Sequence, residues 1–290
     1  MTAGRLRVAA AQAASVGGDV DANVATAVDL VTECAASGAR LVVLPELFLT
    51  GYDPDGWSDA WCLGEPAEDP RLRPLREAAL SRHVVVVAGA ALSGPGQPAT
   101  GEPVTGQPAT GEPRRTVSLL VFDDRGEVHR GYDKQHLFDA ERKFFTAGDH
   151  GASIVVDGWE LGLGICYDGC FPEHAMAAAA DGAAAYLCPS AYYAGAEHRR
   201  DVYYAARALD NGIYVVFAGL AGRCGGYEFS GGSAVYDPEG RPVDRVGGEV
   251  PAVAYADLDP AEVARVREMN PIGRDRRASL GTRHRRVLGD

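Results

Sequence analysis

The sequence predicts an α/β fold, because apolar runs typical of strands alternate along the chain with segments typical of amphipathic helices. Its 290 residues suffice for one large domain or two small ones. The alternation by itself does not separate one doubly wound sheet from two sheets packed face to face.

The first helix is predicted between Asp19 and Gly38. Asp19 is suited to cap its first turn, and Gly38 is suited to end it. Four valines recur at helical spacing on one face of this segment: Val20, Val24, Val28 and Val31. Two further helices are predicted over residues 172–181 and 197–210. Strands are predicted over residues 41–44, 84–91, 117–122, 154–156, 159–165, 184–187, 213–218 and 252–256.

An eight-residue duplication interrupts this pattern. Residues 96–103 read Gly-Gln-Pro-Ala-Thr-Gly-Glu-Pro, and residues 106–113 repeat them. The segment has almost no apolar content to bury, so we expect a flexible surface insertion over residues 94–115, between two strands. A lid over a binding pocket is the alternative interpretation of the same segment.

Cys166 stands where a predicted strand passes into a turn at Asp168-Gly169. In that position a thiol can enter a pocket beside the backbone N–H groups of the turn. Acyl transfer requires this arrangement, a nucleophile next to donors for an oxyanion. Free cysteine is also a common core residue, so Cys166 alone leaves core packing open.

Glu46 follows an apolar strand and Pro45, and its neighbours are hydrophobic. Burial there would raise the pKa of the carboxylate towards neutrality, which suits a base that deprotonates a thiol. The alternative is a glutamate at a strand end that faces solvent.

Lys134 is one of two lysines in a chain rich in arginine. Its retention indicates a specific need for a compact ammonium, for example to bind an oxyanion. A solvated loop lysine is the alternative.

Taken in the order Glu46, Lys134 and Cys166, the three segments resemble the carbon–nitrogen hydrolase family, usually called the nitrilase superfamily. The family pattern is a Glu after a strand-Leu-Pro, a Lys just ahead of His-Leu-Phe, and a Cys followed by Tyr-Asp and Phe-Pro-Glu. The resemblance implies a four-layer α-β-β-α sandwich in a single domain over residues 1–290. It covers essentially the whole chain, including residues 5–12, 205–216, 229–233 and 237–240.

The resemblance also implies a second glutamate that positions the lysine and the base, and Glu141 is the candidate, with a plain surface glutamate as the rival interpretation. In the implied reaction Cys166 attacks the carbon of an amide-like C–N bond while Glu46 takes the thiol proton. Lys134 and the backbone N–H of Tyr167 bind the oxyanion, and water hydrolyses the resulting thioester. We expect neither a cofactor nor a metal.

The residues that follow the cysteine favour an amidase. Nitrile hydrolysers of the family have Trp-Glu there, whereas this chain has Tyr167-Asp168. A small aliphatic amide or ω-amide is the expected substrate; an N-carbamoyl-amine hydrolase, an acyl- or amidotransferase using the same thioester, and a non-catalytic binding protein are the alternatives. The presence of Glu46, Lys134 and Cys166 together argues against a non-catalytic binding protein. Tyr52, Tyr167 and Tyr192 are candidate substrate-binding residues, and Tyr192 and Tyr193 are expected to line the acyl pocket, with core or interface aromatics as the alternative.

Composition bears on partners and location. The formal net charge of −12 argues against nucleic acid as a partner. No apolar stretch approaches the length of a membrane span and the N-terminus lacks a basic region followed by an apolar one, so we expect no membrane association and a cytoplasmic location. The six cysteines have no disulfide-scaffold spacing and are expected to stay reduced.

The last part of the chain is locally basic, with eight arginines from Arg265 onwards. Such a tail can contact nucleic acid, but residues 270–277 resemble the family's C-terminal extension, which often packs against a partner subunit. We therefore expect a C-terminal extension from about residue 270 and a homodimer or larger homo-oligomer.

Overall fold

The computed structural model describes residues 3–94 and 114–288. The duplicated segment at 96–113 lies outside these residues, so the flexible insertion stays a prediction. The strands of the described chain are β1 (Leu6–Gln12), β2 (Leu41–Val43), β3 (Val85–Gly94), β4 (Arg114–Phe122), β5 (Val128–Asp133), β6 (Ala152–Val156), β7 (Trp159–Leu163), β8 (Ala185–Ser190), β9 (Tyr214–Gly219), β10 (Ala221–Cys224), β11 (Tyr227–Ser230), β12 (Ala234–Tyr236), β13 (Pro242–Arg245) and β14 (Ala252–Leu258). The helices are α1 (Val20–Ala36), α2 (Arg73–Arg82), α3 (Glu141–Phe144), α4 (Pro172–Ala180), α5 (Glu197–Asn211), α6 (Pro260–Met269) and α7 (Ile272–Asp275).

Two six-stranded sheets repeat the same plan. Their strand orders are β14-β1-β2-β3-β4-β5 and β13-β12-β9-β8-β7-β6. Each sheet has three parallel strands at its centre, β1 to β3 in the first and β7 to β9 in the second, with antiparallel strands on both sides. Parallel strands need both faces covered, which explains why their sequences are almost continuously apolar.

The alternation of side chains along β8 shows how the layers are stacked. Ala185 and Leu187 belong to the main core, which also contains residues of the first sheet such as Val43. Tyr186 and Cys188 point to the opposite face and pack with α4 and α5 in a second core. Because α1 and α2 pack on the first sheet in the same way, the fold is a four-layer α-β-β-α sandwich. The predicted fold class is confirmed.

The first helix begins and ends close to where the sequence predicts. Asp19 accepts a hydrogen bond from the backbone N–H of Ala22 at 3.0 Å, and α1 ends at Ala36, shortly before Gly38, whose φ is +84°. The predicted helices over 172–181 and 197–210 correspond to α4 and α5, and the predicted strands all occur with small shifts of their ends. Strand β5 was not predicted, because three of its six residues are half-buried or exposed polar side chains and no apolar run marks it.

Two arginines of the basic segment near the C-terminus form contacts with other parts of the same chain. Arg265 Nη2 lies 3.0 Å from Glu239 Oε2, and Arg267 Nη2 donates to the carbonyl of Ala183 at 2.7 Å. Residues 276–288, beyond α7, are exposed.

Within residues 3–94 and 114–288, no helix combines the length and the apolar character that crossing a bilayer requires.

Candidate active site

The three predicted catalytic side chains come from the ends of strands in both sheets. Glu46 follows β2 and Lys134 follows β5, which are strands of the first sheet, whereas Cys166 follows β7 of the second. The Glu46 carboxylate and the Lys134 ammonium both shift the pKa of the Cys166 thiol, so the three groups share one site. The site therefore lies where the two sheets face each other.

A close backbone contact shapes the turn that carries Glu46. Leu47 has a φ of +50°, and the N–H of Gly89 in β3 donates to the carbonyl of Pro45 at 3.1 Å. A Cβ atom at position 89 would lie 2.3 Å from Leu47 N and 2.6 Å from Pro45 O. Only glycine allows the turn to approach the strand this closely, and the approach fixes the side chain of Glu46 in the interior.

The ammonium of Lys134 lies between two carboxylates. Its Nζ is 2.6 Å from Glu46 Oε1 and 2.8 Å from Glu141, and the side chains of all three residues are fully buried. Glu141 also accepts hydrogen bonds from the hydroxyl of Tyr52 at 2.7 Å and from the backbone N–H of Phe138 at 2.8 Å. The structure thus places Glu141, which the resemblance suggested, in direct contact with the lysine.

Burial and charge set the protonation states in this group. Burial raises the pKa of Glu46 to about 7, an effect that Lys134 opposes and Glu141 reinforces. Burial lowers the pKa of Lys134, but the two carboxylates outweigh it and raise that pKa well above its usual value. For Cys166, burial and the Glu46 carboxylate together raise the pKa of the thiol. At neutral pH the lysine is charged, the thiol is protonated, and Glu46 is near its midpoint.

One oxygen of Glu46 is free to act. Its Oε1 accepts from Lys134, whereas Oε2 is buried and has no hydrogen-bond partner among the described residues. The Cys166 thiol is close enough to lower the pKa of Glu46. A buried, unpaired carboxylate oxygen is costly unless a ligand or a reacting group uses it.

Cys166 adopts a backbone conformation that is rare for a residue with a side chain. Its φ is +45°, at the start of the tight turn Cys166–Cys170 that follows β7. Its carbonyl accepts a hydrogen bond from the hydroxyl of Tyr204 at 2.9 Å, and its Sγ lies 3.9 Å from the carbonyl oxygen of Ala191. Such strain is found at functional sites, where the surrounding contacts hold it in place.

The predicted substrate-binding tyrosines lie in different surroundings. The hydroxyl of Tyr52 contacts Glu141, and its ring centroid is 6.0 Å from that of Tyr193. The hydroxyl of Tyr192 instead lies 3.4 Å from Cys170 Sγ. Tyr192 and Tyr193, which the sequence marks together, therefore have different neighbours, because adjacent side chains alternate along an extended segment.

Tyr167 packs between two aromatic rings. Its ring centroid is 5.2 Å from that of Phe138 and 5.0 Å from that of Phe171. Because Phe138 also donates its backbone N–H to Glu141, these contacts connect the turn after the cysteine with the segment after the lysine.

A cluster that sequence reasoning missed lies beside the turn that follows Cys166. His136, Asp168 and His174 bring three atoms of the metal-ligand type within 4.8 Å of one another. His136 Nδ1 lies 2.8 Å from Asp168, and the two ring nitrogens of His174 lie 2.9 Å from the hydroxyls of Tyr132 and Tyr186. A metal ion would have to replace these hydrogen bonds, so a hydrogen-bond network accounts for the cluster without one.

Comparisons with known proteins show which family the chain resembles. The family model described as "Carbon-nitrogen hydrolase" matches residues 7–268. A hydrolase of Pseudomonas protegens is 32% identical over 247 residues, which cover 84% of this chain and 80% of that protein. An omega-amidase of Mus musculus is 30% identical over 294 residues, which cover 97% of this chain and 98% of that protein.

A solved structure of a mutant amidase from Nesterenkonia sp. AN1 matches with a TM-score of 0.76 and 29% identity, covering 96% of both chains. That structure shows covalent addition of the acetamide moiety of fluoroacetamide at its active-site cysteine. Since the family model spans most of the sequence, the chain belongs to the carbon-nitrogen hydrolase family. It is an enzyme of the class that the sequence predicts, a carbon–nitrogen hydrolase.

Proposed function

We propose that this enzyme hydrolyses the C–N bond of a small amide through a thioester on Cys166. The observation that carries the proposal is the buried group of Glu46, Lys134 and Glu141 beside that thiol, in which the pKa of Glu46 is raised to about 7. A base with a pKa near neutrality can take a proton from a thiol and return it to a leaving group in the same cycle.

In the first half of the proposed reaction, Cys166 Sγ attacks the amide carbon and Glu46 takes the thiol proton. The free Oε2 is the oxygen suited to this task, because Oε1 is engaged by Lys134. The carbonyl oxygen becomes an oxyanion that the Lys134 ammonium and the backbone N–H of Tyr167 stabilise. Glu46 then protonates the departing nitrogen as the C–N bond breaks, which leaves a thioester and releases ammonia or an amine.

In the second half, water attacks the thioester carbon while Glu46 takes one of its protons. The C–S bond breaks, and the proton passes from Glu46 to the sulfur, so that the acid product leaves and the thiol is restored. We propose that Glu141 positions Lys134 through their 2.8 Å contact. Splitting one difficult displacement into two steps is the advantage of the covalent thiol.

We propose a small aliphatic amide or an ω-amide as substrate, with Tyr52, Tyr167 and Tyr192 lining the acyl pocket. The similarity to an omega-amidase over nearly the whole chain supports this class. The position of Tyr52 supports it too, because its hydroxyl contacts Glu141 and its ring meets that of Tyr193, which gives the site an aromatic wall.

The test is mass spectrometry of the intact protein after incubation with acetamide, propionamide, succinamate, glutaramate and N-carbamoyl-β-alanine. We expect an acyl adduct on Cys166 and release of ammonia. We also expect no adduct and no turnover in Cys166→Ala, and normal turnover in the matched control Cys170→Ala. A fully active Cys166→Ala enzyme would refute the proposal. An acyl adduct that persists in water and is removed only when an amine acceptor is added would indicate a transferase.

We further propose that the enzyme acts in the cytoplasm as a homo-oligomer. The six free cysteines support a reducing compartment. Exposed apolar residues on one face of α5, Val202 and Leu209, support an interface, as do Leu280 and Leu288 in the C-terminal segment. Light scattering of the full chain and of the variant Leu209→Glu tests this: we expect a dimer or larger assembly that the substitution weakens, and a monomeric full chain would contradict it.

A further inference from the structure

We propose that Asp168 is a positioning residue, which locks the segment carrying Lys134 to the turn carrying Cys166. The inference rests on the proposed function, because it assigns to Asp168 the task of keeping the oxyanion-binding ammonium and the nucleophile in register. These two groups belong to different sheets, so no strand pairing fixes the distance between them.

Four hydrogen-bond donors converge on the fully buried carboxylate of Asp168. Oδ1 accepts from the backbone N–H of His136 at 2.9 Å and from its ring Nδ1 at 2.8 Å. Oδ2 accepts from the backbone N–H of Ile165 at 3.0 Å and from the hydroxyl of Tyr132 at 2.9 Å. An ionised carboxylate offers about four acceptor positions, so the capacity of Asp168 is filled.

The two backbone donors identify what the carboxylate connects. His136 follows Lys134 by two positions, and Ile165 immediately precedes Cys166. A single carboxylate therefore bonds directly to the main chain close to both reacting groups, two residues after Lys134 and one residue before Cys166. This is a second connection between the two segments, in addition to the packing of Tyr167 on Phe138.

A chain of hydrogen bonds behind Asp168 fixes its orientation. The hydroxyl of Tyr132 donates to Asp168, which assigns to His174 Nε2 the role of donor towards Tyr132. Burial lowers the pKa of His174 and favours its neutral form, in which Nδ1 carries no hydrogen and accepts from the hydroxyl of Tyr186. This series of hydrogen bonds directs the hydroxyl hydrogen of Tyr132 towards Asp168, so that Tyr132 acts as a donor to the carboxylate.

Asparagine cannot reproduce this arrangement, although its shape is almost the same. Its amide nitrogen would replace either Oδ1 or Oδ2, and each oxygen accepts one backbone N–H that cannot turn away. In one orientation the N–H of His136 would face a donor, and in the other the N–H of Ile165 would. Either way, one of the two backbones loses its partner, and the segment moves relative to the other.

The experiment compares Asp168→Asn with Asp237→Asn. Asp237 also accepts two backbone N–H groups, those of Glu239 and Arg241, but in the turn between β12 and β13. We measure kcat and KM on the best amide of the panel, the rate at which fluoroacetamide modifies Cys166, and the melting temperature. For Asp168→Asn we expect kcat and the modification rate to fall roughly a hundredfold, with KM changing less than about threefold, because a small displacement of reacting groups has an effect of this size. Asp237→Asn should stay within about twofold of wild type.

A merely structural role predicts a different result. Asp168→Asn would then melt at a lower temperature but keep wild-type kcat and modification rate when assayed well below that temperature, and this outcome would overturn the inference. If Asp168→Asn does not fold, Tyr132→Phe replaces it, since it removes one donor and keeps both backbone bonds. We then expect kcat to fall roughly tenfold at constant KM, and an unchanged kcat would overturn the inference.

The failure of the inference is distinguishable from the failure of the proposed function. A wild-type enzyme whose Cys166 neither reacts with fluoroacetamide nor forms an acyl adduct overturns both. A reactive wild-type enzyme with an equally reactive Asp168→Asn variant overturns only the positioning role.

Discussion

Lys134 Nζ lies 2.6 Å from Glu46 Oε1, and neither side chain is exposed to solvent. A buried ion pair is stable only when further hydrogen bonds compensate for lost hydration, and Glu141 accepts one from the lysine. The group then contains one ammonium and two carboxylates, so one negative charge is in excess when both carboxylates are ionised. Burial raises the pKa of Glu46 to about 7; Lys134 opposes this rise, and the second carboxylate, Glu141, offsets part of that opposition.

The first prediction concerns the pH dependence of the reaction. Glu46 must be ionised to take the thiol proton, so kcat/KM should fall about tenfold per pH unit below a midpoint near 7. The measurement is kcat/KM on one amide between pH 5 and 9, with circular dichroism at each pH to show that the enzyme is folded. A kcat/KM that stays constant down to pH 5 would contradict the prediction, because it would place the pKa of the base near the ordinary glutamate value, about 4.5, rather than near 7.

The second prediction concerns the compact shape of the ammonium. In Lys134→Arg, a planar guanidinium must fit where Nζ now lies 2.6 Å from Glu46 and 2.8 Å from Glu141. We expect kcat to fall roughly a hundredfold or more, as when an oxyanion donor is removed. The exposed Lys143 is the matched control, and Lys143→Arg should behave as wild type. Near-normal kinetics in Lys134→Arg would show that the lysine acts only as a positive charge.

The third prediction concerns the glycine behind the turn of Glu46. In Gly89→Ala the new Cβ would lie 2.3 Å from Leu47 N and 2.7 Å from Glu46 Cα, which are backbone atoms that cannot rotate away. We expect a loss of stability of about 1–3 kcal/mol and a lower kcat, measured by urea unfolding and amide turnover. Gly151→Ala is the control, since no heavy atom lies within 4 Å of its added Cβ. A stable, fully active Gly89→Ala would mean that the turn is free to shift.

The fourth prediction concerns the duplicated segment. Gly94 and Arg114 are direct partners in the β3–β4 ladder, so an Asn-Gly turn in place of residues 95–113 can join the two strands. We expect the rate on a small amide to stay nearly unchanged and the melting temperature to rise by a few degrees, because shortening the connection by about three doublings of length lowers the loop-closure cost by about 2 kcal/mol, at about 0.6 kcal/mol per doubling. A higher rate on bulky amides, or a collapse of the rate on small ones, would show that the segment is a lid.

Local patterns made Glu46 and Cys166 candidates at strand ends, and the family resemblance decided between catalysis and the alternatives of a solvent-facing glutamate and a core cysteine. Glu46 and Cys166 each follow an apolar run and precede a turn, which is a short-range signal that needs no knowledge of the fold. The position of Glu141 came from the resemblance, and its burial against Lys134 and Tyr52 became visible only in three dimensions. Periodicity predicted the α/β class for the same reason, since each element carries its own pattern.

Long-range contacts were beyond the reach of these patterns. The bonds of Asp168 join the chain at His136 and Ile165, and nothing near Asp168 in the sequence indicates the first of them. Gly89 was not singled out either, because the reason for a glycine there is the turn at Pro45, which lies in another element. Residues whose role depends on what a distant segment places beside them carry no local signal.

The pairing of β1 with β14 has a consequence for how the chain matures on the ribosome. Leu6 lies opposite Leu258, so β1 receives its second neighbour from β14, a strand that is synthesised about 250 residues later. Until β14 is present, the edge of β1 that faces it stays unpaired, although β2 to β5 are already available on the other side of β1. Exposed edges of this kind attract other chains. A folding intermediate that lacks β14 therefore exposes this edge of β1, and an exposed edge of this kind makes the intermediate prone to aggregation.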